Sequence, residues 1–112
     1  MKEKHWYAMY GSVEDDISSI AESVANAIET PMQARHSSYI GDYWMASPNM
    51  SHDSLKSEIR IRMNYDPQFG GLEEPDHPQF PILVYISRVS DIDSLDKKLI
   101  SLNLQRLAAK LL

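Results

Sequence analysis

The sequence contains no cysteine, few glycines and no long apolar run. Without cysteine there are no disulfides, no thiolate metal sites and no cysteine nucleophile, which fits a reducing compartment. Only four of the 112 residues are glycine, too few for a glycine-rich phosphate-binding loop. No apolar run approaches the roughly 20 residues of a membrane-spanning helix. The residues from Met1 onward show no apolar signal segment. We therefore expect a cytoplasmic protein with no membrane contact.

Basic residues are outnumbered, with 11 Lys and Arg against 16 Asp and Glu, for a net charge of −5. Nucleic-acid binding normally requires a basic patch that displaces counterions, so this balance argues against a nucleic-acid partner. Arg60 and Arg62 share one face of a predicted strand, but two arginines do not make such a patch. An acidic balance suits solubility or a basic protein partner.

The first part of the chain predicts a strand and a helix. The aromatic segment His5–Tyr10, followed by Gly11, is typical of a short strand. Ser12 is the expected N-cap of the next helix, which ends at Thr30 because a residue before proline disfavours helical geometry. Its apolar face repeats every three or four residues, at Val13, Ile17, Ile20, Val24 and Ile28.

The middle of the chain predicts a hairpin and a half-buried strand. Segments Met32–Ile40 and Tyr43–Ser47 form the hairpin, joined by Gly41-Asp42 as a tight turn. After a polar loop, Glu58–Tyr65 alternates strictly between apolar and polar residues, which is typical of an antiparallel strand with one buried face.

The last part predicts a long loop, a buried strand and a helix. Asp66–Pro81 holds four prolines and no helical or strand period. Ile82–Ile86 is nearly all apolar and predicts an interior strand. A long amphipathic helix should then run from Ser90 to the C-terminus. Its apolar residues either enter the core or cover a dimer seam: Leu99, Ile100, Leu102, Leu104, Leu107, Leu111 and Leu112.

The predicted order of elements is β-α-β-β-β-β-α over a single domain, residues 1–112. Most strands are consecutive, which favours an α+β fold with a mainly antiparallel five-stranded sheet and two helices packed on it. The position of the first strand in that sheet stays open.

We predict no catalytic residue, metal site or cofactor. The four histidines, His5, His36, His52 and His77, do not have the spacing of a metal motif. His52-Asp53 and Asp76-His77 place a carboxylate beside an imidazole only along the chain. An alternative is a small enzyme that uses His36 or His77.

Two surfaces are candidates for partner binding. The loop from Asp66 to Phe80 carries four carboxylates and no Lys or Arg. Charges of this kind steer a basic partner while a buried aromatic side chain holds it. Tyr and Trp side chains around the hairpin turn form the second surface. The candidate partner-binding residues are Asp66, Phe69, Leu72, Glu73, Glu74, Asp76, Tyr39, Tyr43 and Trp44. Alternatively, the apolar residues of the loop pack under the sheet and its acids face only water.

A short, cysteine-free, acidic α+β chain with such a loop resembles the immunity proteins of bacterial polymorphic toxin systems, including contact-dependent growth inhibition. The local resemblance covers residues 66–88, where the acidic proline-rich loop leads into the apolar strand. It implies a cytosolic inhibitor that binds a cognate toxin domain, often a basic nuclease, and blocks its active site. An acidic secretion chaperone for an effector protein is a second alternative, although its usual order of elements differs.

Overall fold

A computed structural model of the chain describes residues 4–51 and 56–112. It confirms the α+β class, with two helices and an antiparallel sheet, but the sheet has six strands where we predicted five. The elements are β1 (Trp6–Ser12), α1 (Ile17–Ile28), β2 (Gln33–Ser37), β3 (Gly41–Ala46), β4 (Glu58–Met63), β5 (Ile82–Val89), α2 (Ile92–Ile100) and β6 (Gln105–Leu111).

The strands lie in the order β2-β3-β4-β5-β1-β6, and each neighbouring pair is antiparallel. β5 lies between β4 and β1, as its apolar sequence predicts. The first strand, whose place the sequence left open, is also interior. Along β5, Ile82 to Val84 and Ile86 are almost completely shielded from solvent.

Both helices pack on one face of the sheet. α1 buries Ile20, Val24 and Ile28 there, so the predicted spacing of its apolar face is correct apart from Val13. The apolar side of α2 joins the same core. The core side chains of the strands come from alternate positions: Ala8, Tyr10, Ile59, Ile61, Ile82, Val84 and Ile86. Among the described residues no helix lies on the other face, which we call the helix-free face.

The prediction that Ser12 caps the first helix is wrong. Ser12 lies in β1 opposite Ile82, and the cap is Asp16, whose carboxylate accepts a hydrogen bond from the Ser19 N–H at 3.2 Å. The pairing of β1 with β5 therefore carries the strand past Gly11. Val13, predicted on the apolar helix face, is 70% exposed.

The predicted long C-terminal helix is also wrong. α2 ends at Ile100, Asn103 adopts a left-handed conformation with φ of +64°, and the chain returns as β6 beside β1. Leu104, Leu107 and Leu111 have a spacing that fits a helix, but pairing with β1 determines their conformation. The order of elements is therefore β-α-β-β-β-β-α-β.

Smaller differences affect the strand ends. In the hairpin, Ser37 pairs with Gly41, so the turn is formed by residues 38–40 and not by Gly41-Asp42. Gly41 begins β3 with φ of +83°, a conformation that favours glycine. β4 stops at Met63 and leaves Tyr65 outside the sheet, and β5 extends beyond Ile86 to Val89.

Chain direction brings four connections together at one end of the sheet. β1, β2, β4 and α2 all finish at this end, which consists of residues 13–16, 38–40, 64–81 and 101–104. We call it the loop end.

Candidate protein-binding surface

The loop of residues 64–81 is fastened to the domain by Asn64, which is only 4% exposed. The Asn64 side-chain amide donates hydrogen bonds to the carbonyls of His77 (3.1 Å) and Phe80 (3.0 Å). Its oxygen accepts from the Glu74 N–H at 2.8 Å. One buried side chain thus satisfies backbone groups at three points of the loop, so the segment is ordered although it contains neither helix nor strand.

Phe80 anchors the loop on the helix-free face. It is 3% exposed and packs directly over Gly11 of β1, where a Cβ atom would lie only 2.5 Å from the Phe80 ring. Glycine is therefore required at this position of the strand. The alternative that apolar loop residues pack against the sheet is correct for Phe80.

Glu73 and Glu74, predicted to contact a partner, make internal contacts. A Glu73 carboxylate oxygen lies 3.4 Å from the guanidinium of Arg62, whose side chain is 8% exposed. The Tyr85 hydroxyl donates to the Glu74 carboxylate at 2.8 Å. Burial, together with the Glu74 carboxylate, raises the pKa of Tyr85 above its ordinary value. These two carboxylates hold the loop down and are only partly accessible to another molecule.

The tip of the loop, in contrast, holds Phe69 away from the domain. The Gly70 N–H donates to the Asp66 carbonyl at 2.8 Å, and the Asp66 N–H donates to the Gly71 carbonyl at 3.0 Å. The Asp66 carboxylate accepts from the N–H groups of Gln68 (2.9 Å) and Phe69 (3.3 Å). This closed turn leaves Phe69 86% exposed. A large apolar side chain on a hydrogen-bonded turn is pre-organised for contact with another molecule.

The hairpin turn lies beside this tip. A Cβ atom at Gly41 would be 3.9 Å from the Pro67 ring, so the two predicted surfaces are adjacent. Tyr39 in the turn is 68% exposed. Tyr43 is half-buried, with the Arg60 guanidinium 5.2 Å from its ring centroid, and Trp44 packs against the core. Of the three hairpin aromatics, Tyr39 is the one that faces solvent freely.

Leu72 and Asp76 are exposed at the same end of the sheet, and their role in partner binding stays a prediction. Sequence reasoning missed Tyr65, which is 52% exposed. The alternation from Glu58 predicts Tyr65 on the buried face of a strand, but β4 ends at Met63 and leaves Tyr65 outside the sheet.

Charge is distributed unevenly around these side chains. The four connections of the loop end contain seven acids, three at 14–16 and four in the long loop, and no lysine or arginine. Glu14, Asp15 and Asp16 are exposed. Glu73 is paired with Arg62, whereas the Tyr85 hydroxyl that donates to Glu74 carries no charge, so the six carboxylates other than Glu73 give this end its negative potential.

The two histidines of the enzyme alternative, His36 and His77, contact neighbouring side chains. His36 Nδ1 lies 2.9 Å from the Asp42 carboxylate, but both side chains are largely exposed, at 73% and 90%. The His77 ring faces Phe80 with centroids 6.4 Å apart. His52 and Asp53 lie outside the described residues. Across residues 4–51 and 56–112, no group of three or more His, Asp or Glu side chains is arranged to hold a metal ion.

The helix-free face also has a groove of about 320 Å³ beside the loop, lined by Glu58, Arg60, Arg62, Glu73, Glu74, Tyr85 and Ser87. Its charges are largely paired within the groove, since Arg60 lies 3.3 Å from Glu58 and Arg62 lies 3.4 Å from Glu73. The groove therefore offers few free groups to a ligand.

Comparisons of the chain with protein families, with characterised proteins and with solved structures find no match. Neither α1 nor α2 is long and apolar enough to cross a membrane.

Proposed function

We propose that this protein is a cytosolic inhibitor that binds a cognate toxin domain, of basic nuclease type, through its loop end and occludes the active site. The observation that carries the proposal is the loop end itself, whose four connections hold the freely exposed Phe69 and seven carboxylates but no lysine or arginine. Tyr39, Tyr65 and Leu72 extend the apolar contact area.

This combination suits a protein partner of opposite charge. Exposed carboxylates speed the encounter with a basic surface, whereas a desolvated aromatic side chain slows dissociation. A small ligand would need a concave site that encloses it. Phe69 instead stands 86% exposed on a turn that hydrogen bonds around Asp66 hold in shape.

Occlusion of a nuclease follows from the same charges. A nuclease binds its substrate through a basic channel that contacts phosphates. A rigid acidic surface competes for that channel, and Phe69 would enter an apolar recess beside it. Inhibition then requires no chemistry from the inhibitor.

The test is capture followed by neutralisation. The tagged chain is expressed in its native host, recovered at low ionic strength, and its bound proteins are identified by mass spectrometry. The captured domain is then expressed alone and together with this chain, and growth and nucleic-acid cleavage are measured. We expect a near-stoichiometric basic domain that salt elutes, that is toxic alone and that is harmless in the presence of the chain.

Two variants make the test specific to the loop end. Phe69→Ala should reduce capture and neutralisation strongly, while Gln68→Ala, an exposed neighbour in the same turn, should leave both unchanged. Capture of a non-toxic secreted effector would favour the chaperone alternative. A toxic partner bound equally well by Phe69→Ala would place the interface elsewhere.

A further inference from the structure

The outer edge of β6 is bare in the part of the chain that the structure describes. β6 ends the sheet and pairs only with β1. Six of its seven residues are exposed, although four of the seven are Leu or Ala. Leu111 is 44% exposed and the adjoining Leu112 is 64% exposed. A strand edge with exposed aliphatic side chains readily pairs with another strand.

The opposite edge of the sheet differs. β2 carries Arg35, which donates to the Gln33 side chain at 2.9 Å, and His36, which contacts Asp42 across the hairpin at 2.9 Å. Polar and charged side chains on an edge strand discourage further pairing. Four of the five β2 residues are polar, whereas β6 has an apolar stretch at residues 107–109 between Arg106 and Lys110. Pairing is therefore less discouraged at β6 than at β2, which favours a closed pair over an open fibre.

We infer that β6 pairs antiparallel with β6 of a second copy of this chain, about a two-fold axis at Ala109. The residue at such an axis faces the same residue of the other copy. A residue before the axis faces the residue of the other copy that lies equally far after the axis. Ala109 would then face Ala109 and Ala108 would face Lys110, while the bulge at Leu107 would end the regular pairing on each side. No like charges are opposed, and the centre is small and apolar.

Other registers are less favourable. An axis at Lys110 would oppose two ammonium groups, and an axis at Ala108 would oppose Arg106 and Lys110. Like charges directly opposite each other destabilise a strand pair. An axis at Leu107 would fall on the β-bulge, where the pairing with β1 shifts register between Met9 and Tyr10.

Helix α2 lies over β1 and β6 beside this seam. Asp96 of α2 accepts a hydrogen bond from the Tyr10 hydroxyl of β1 at 2.5 Å and lies 3.7 Å from the Arg106 guanidinium of β6. Asp96 therefore compensates the charge of Arg106 at this edge within one copy of the chain.

Sedimentation velocity over a concentration series tests the inference with the purified chain alone. The wild type should form a reversible dimer. Ala109→Glu and Ala109→Lys should each raise the dimer dissociation constant at least about tenfold, because like charges would meet at the axis. An equimolar mixture of the two variants should dimerise again, since the introduced carboxylate and ammonium would then face each other.

Ala108→Glu is the matched control, because Ala108 is equally exposed but would face Lys110, so the dimer should persist. Circular dichroism establishes that each variant is folded. A wild type that remains monomeric at all concentrations would overturn the inference, as would a dimer that Ala109→Glu leaves intact. A monomeric wild type whose toxin binding is lost in Ala109→Glu would assign the edge to the toxin instead. The inference does not depend on the proposed function, since it requires no partner protein.

Discussion

Arg62 and Glu73 form an ion pair of 3.4 Å that joins β4 to the long loop, with the arginine side chain 8% exposed and the glutamate 33% exposed. The Arg62 guanidinium also donates to the Tyr65 carbonyl at 3.0 Å. The charge of the nearly buried Arg62 is thus neutralised by the carboxylate of Glu73, which lies later in the chain on the long loop. This pair explains why an acidic residue of the loop points towards the sheet.

Removal of the Glu73 charge should therefore destabilise the fold. Glu73→Gln would leave Arg62 uncompensated and should lower the free energy of unfolding by about 1–2 kcal/mol. That is less than the about 3–5 kcal/mol for a fully buried pair, because one third of Glu73 faces water. Urea denaturation measures the change. Asp76→Asn, at an exposed position of the same loop, is the control and should cost nothing measurable. Equal stability of the two variants would contradict the structural role of Glu73.

Alkaline pH should destabilise the protein through two tyrosines. Burial is the main cause that raises the pKa of Tyr10 and of Tyr85 above 10.0, and the neighbouring carboxylates Asp96 and Glu74 add to it. The folded state then keeps both protons at a pH where the unfolded state has lost them. The contribution of these two protons to the free energy of unfolding is complete below about pH 10 and is lost as the pH rises through the folded-state pKa. The loss is at most about 1.4 kcal/mol per pH unit for each tyrosine.

Tyr85→Phe should make this alkaline loss shallower by the contribution of one tyrosine. Chemical denaturation at a series of pH values from neutral to strongly alkaline measures the slope. Tyr39→Phe, at an exposed position in the hairpin turn, is the matched control and should follow the wild type. If Tyr85→Phe and the wild type lose stability at the same rate, the pKa of Tyr85 is not raised in the folded protein.

The contact of Gly11 with Phe80 makes a double-mutant cycle informative. Gly11→Ala would place a methyl group 2.5 Å from the Phe80 ring, and we expect it to cost about 1–3 kcal/mol through overpacking. Phe80→Ala alone should cost about 3–5 kcal/mol, because it empties a buried site. In the Phe80→Ala background the clash disappears, so Gly11→Ala should cost much less. Thermal and urea unfolding of the four proteins give the coupling energy. Additive effects would contradict the close packing.

Helix α1 and strand β4 were predictable from sequence because the period of a helix or of a strand is visible in the apolar residues of the element itself. The spacing of Ile17, Ile20, Val24 and Ile28 identifies α1, and the alternation from Glu58 identifies β4, although its end is two residues early. The C-terminal error has a different origin. Leu104, Leu107 and Leu111 fit one face of a helix, but residues 105–111 form a strand because they pair with β1. Long-range pairing of this kind leaves little trace in local spacing.

The candidate site was predictable as a region but not in detail. Composition identified an acidic loop with apolar interruptions, but nothing in the sequence distinguishes Phe69, which faces solvent, from Phe80, which is buried. That difference depends on Gly11, which is distant in sequence and leaves room for one ring, and on Asn64, which fixes the backbone near Phe80. The inward direction of Glu73 likewise depends on Arg62.

If the proposed function is correct, the exposed acids of the loop end should control the rate of association with the proposed toxin partner. Reversal of Glu14, Asp15 and Asp76 to lysine should slow association and weaken its dependence on salt, because steering acts on encounter. The matched control reverses Glu22, Glu29 and Asp93, three exposed acids outside the loop end, and changes the net charge equally. Stopped-flow association at several ionic strengths compares the two triple variants. Steering by the loop end predicts a slower rate and a smaller salt slope for the first variant than for the control. Equal slowing would show that only total charge matters, and an unchanged rate in the first variant would remove the loop end from the encounter surface.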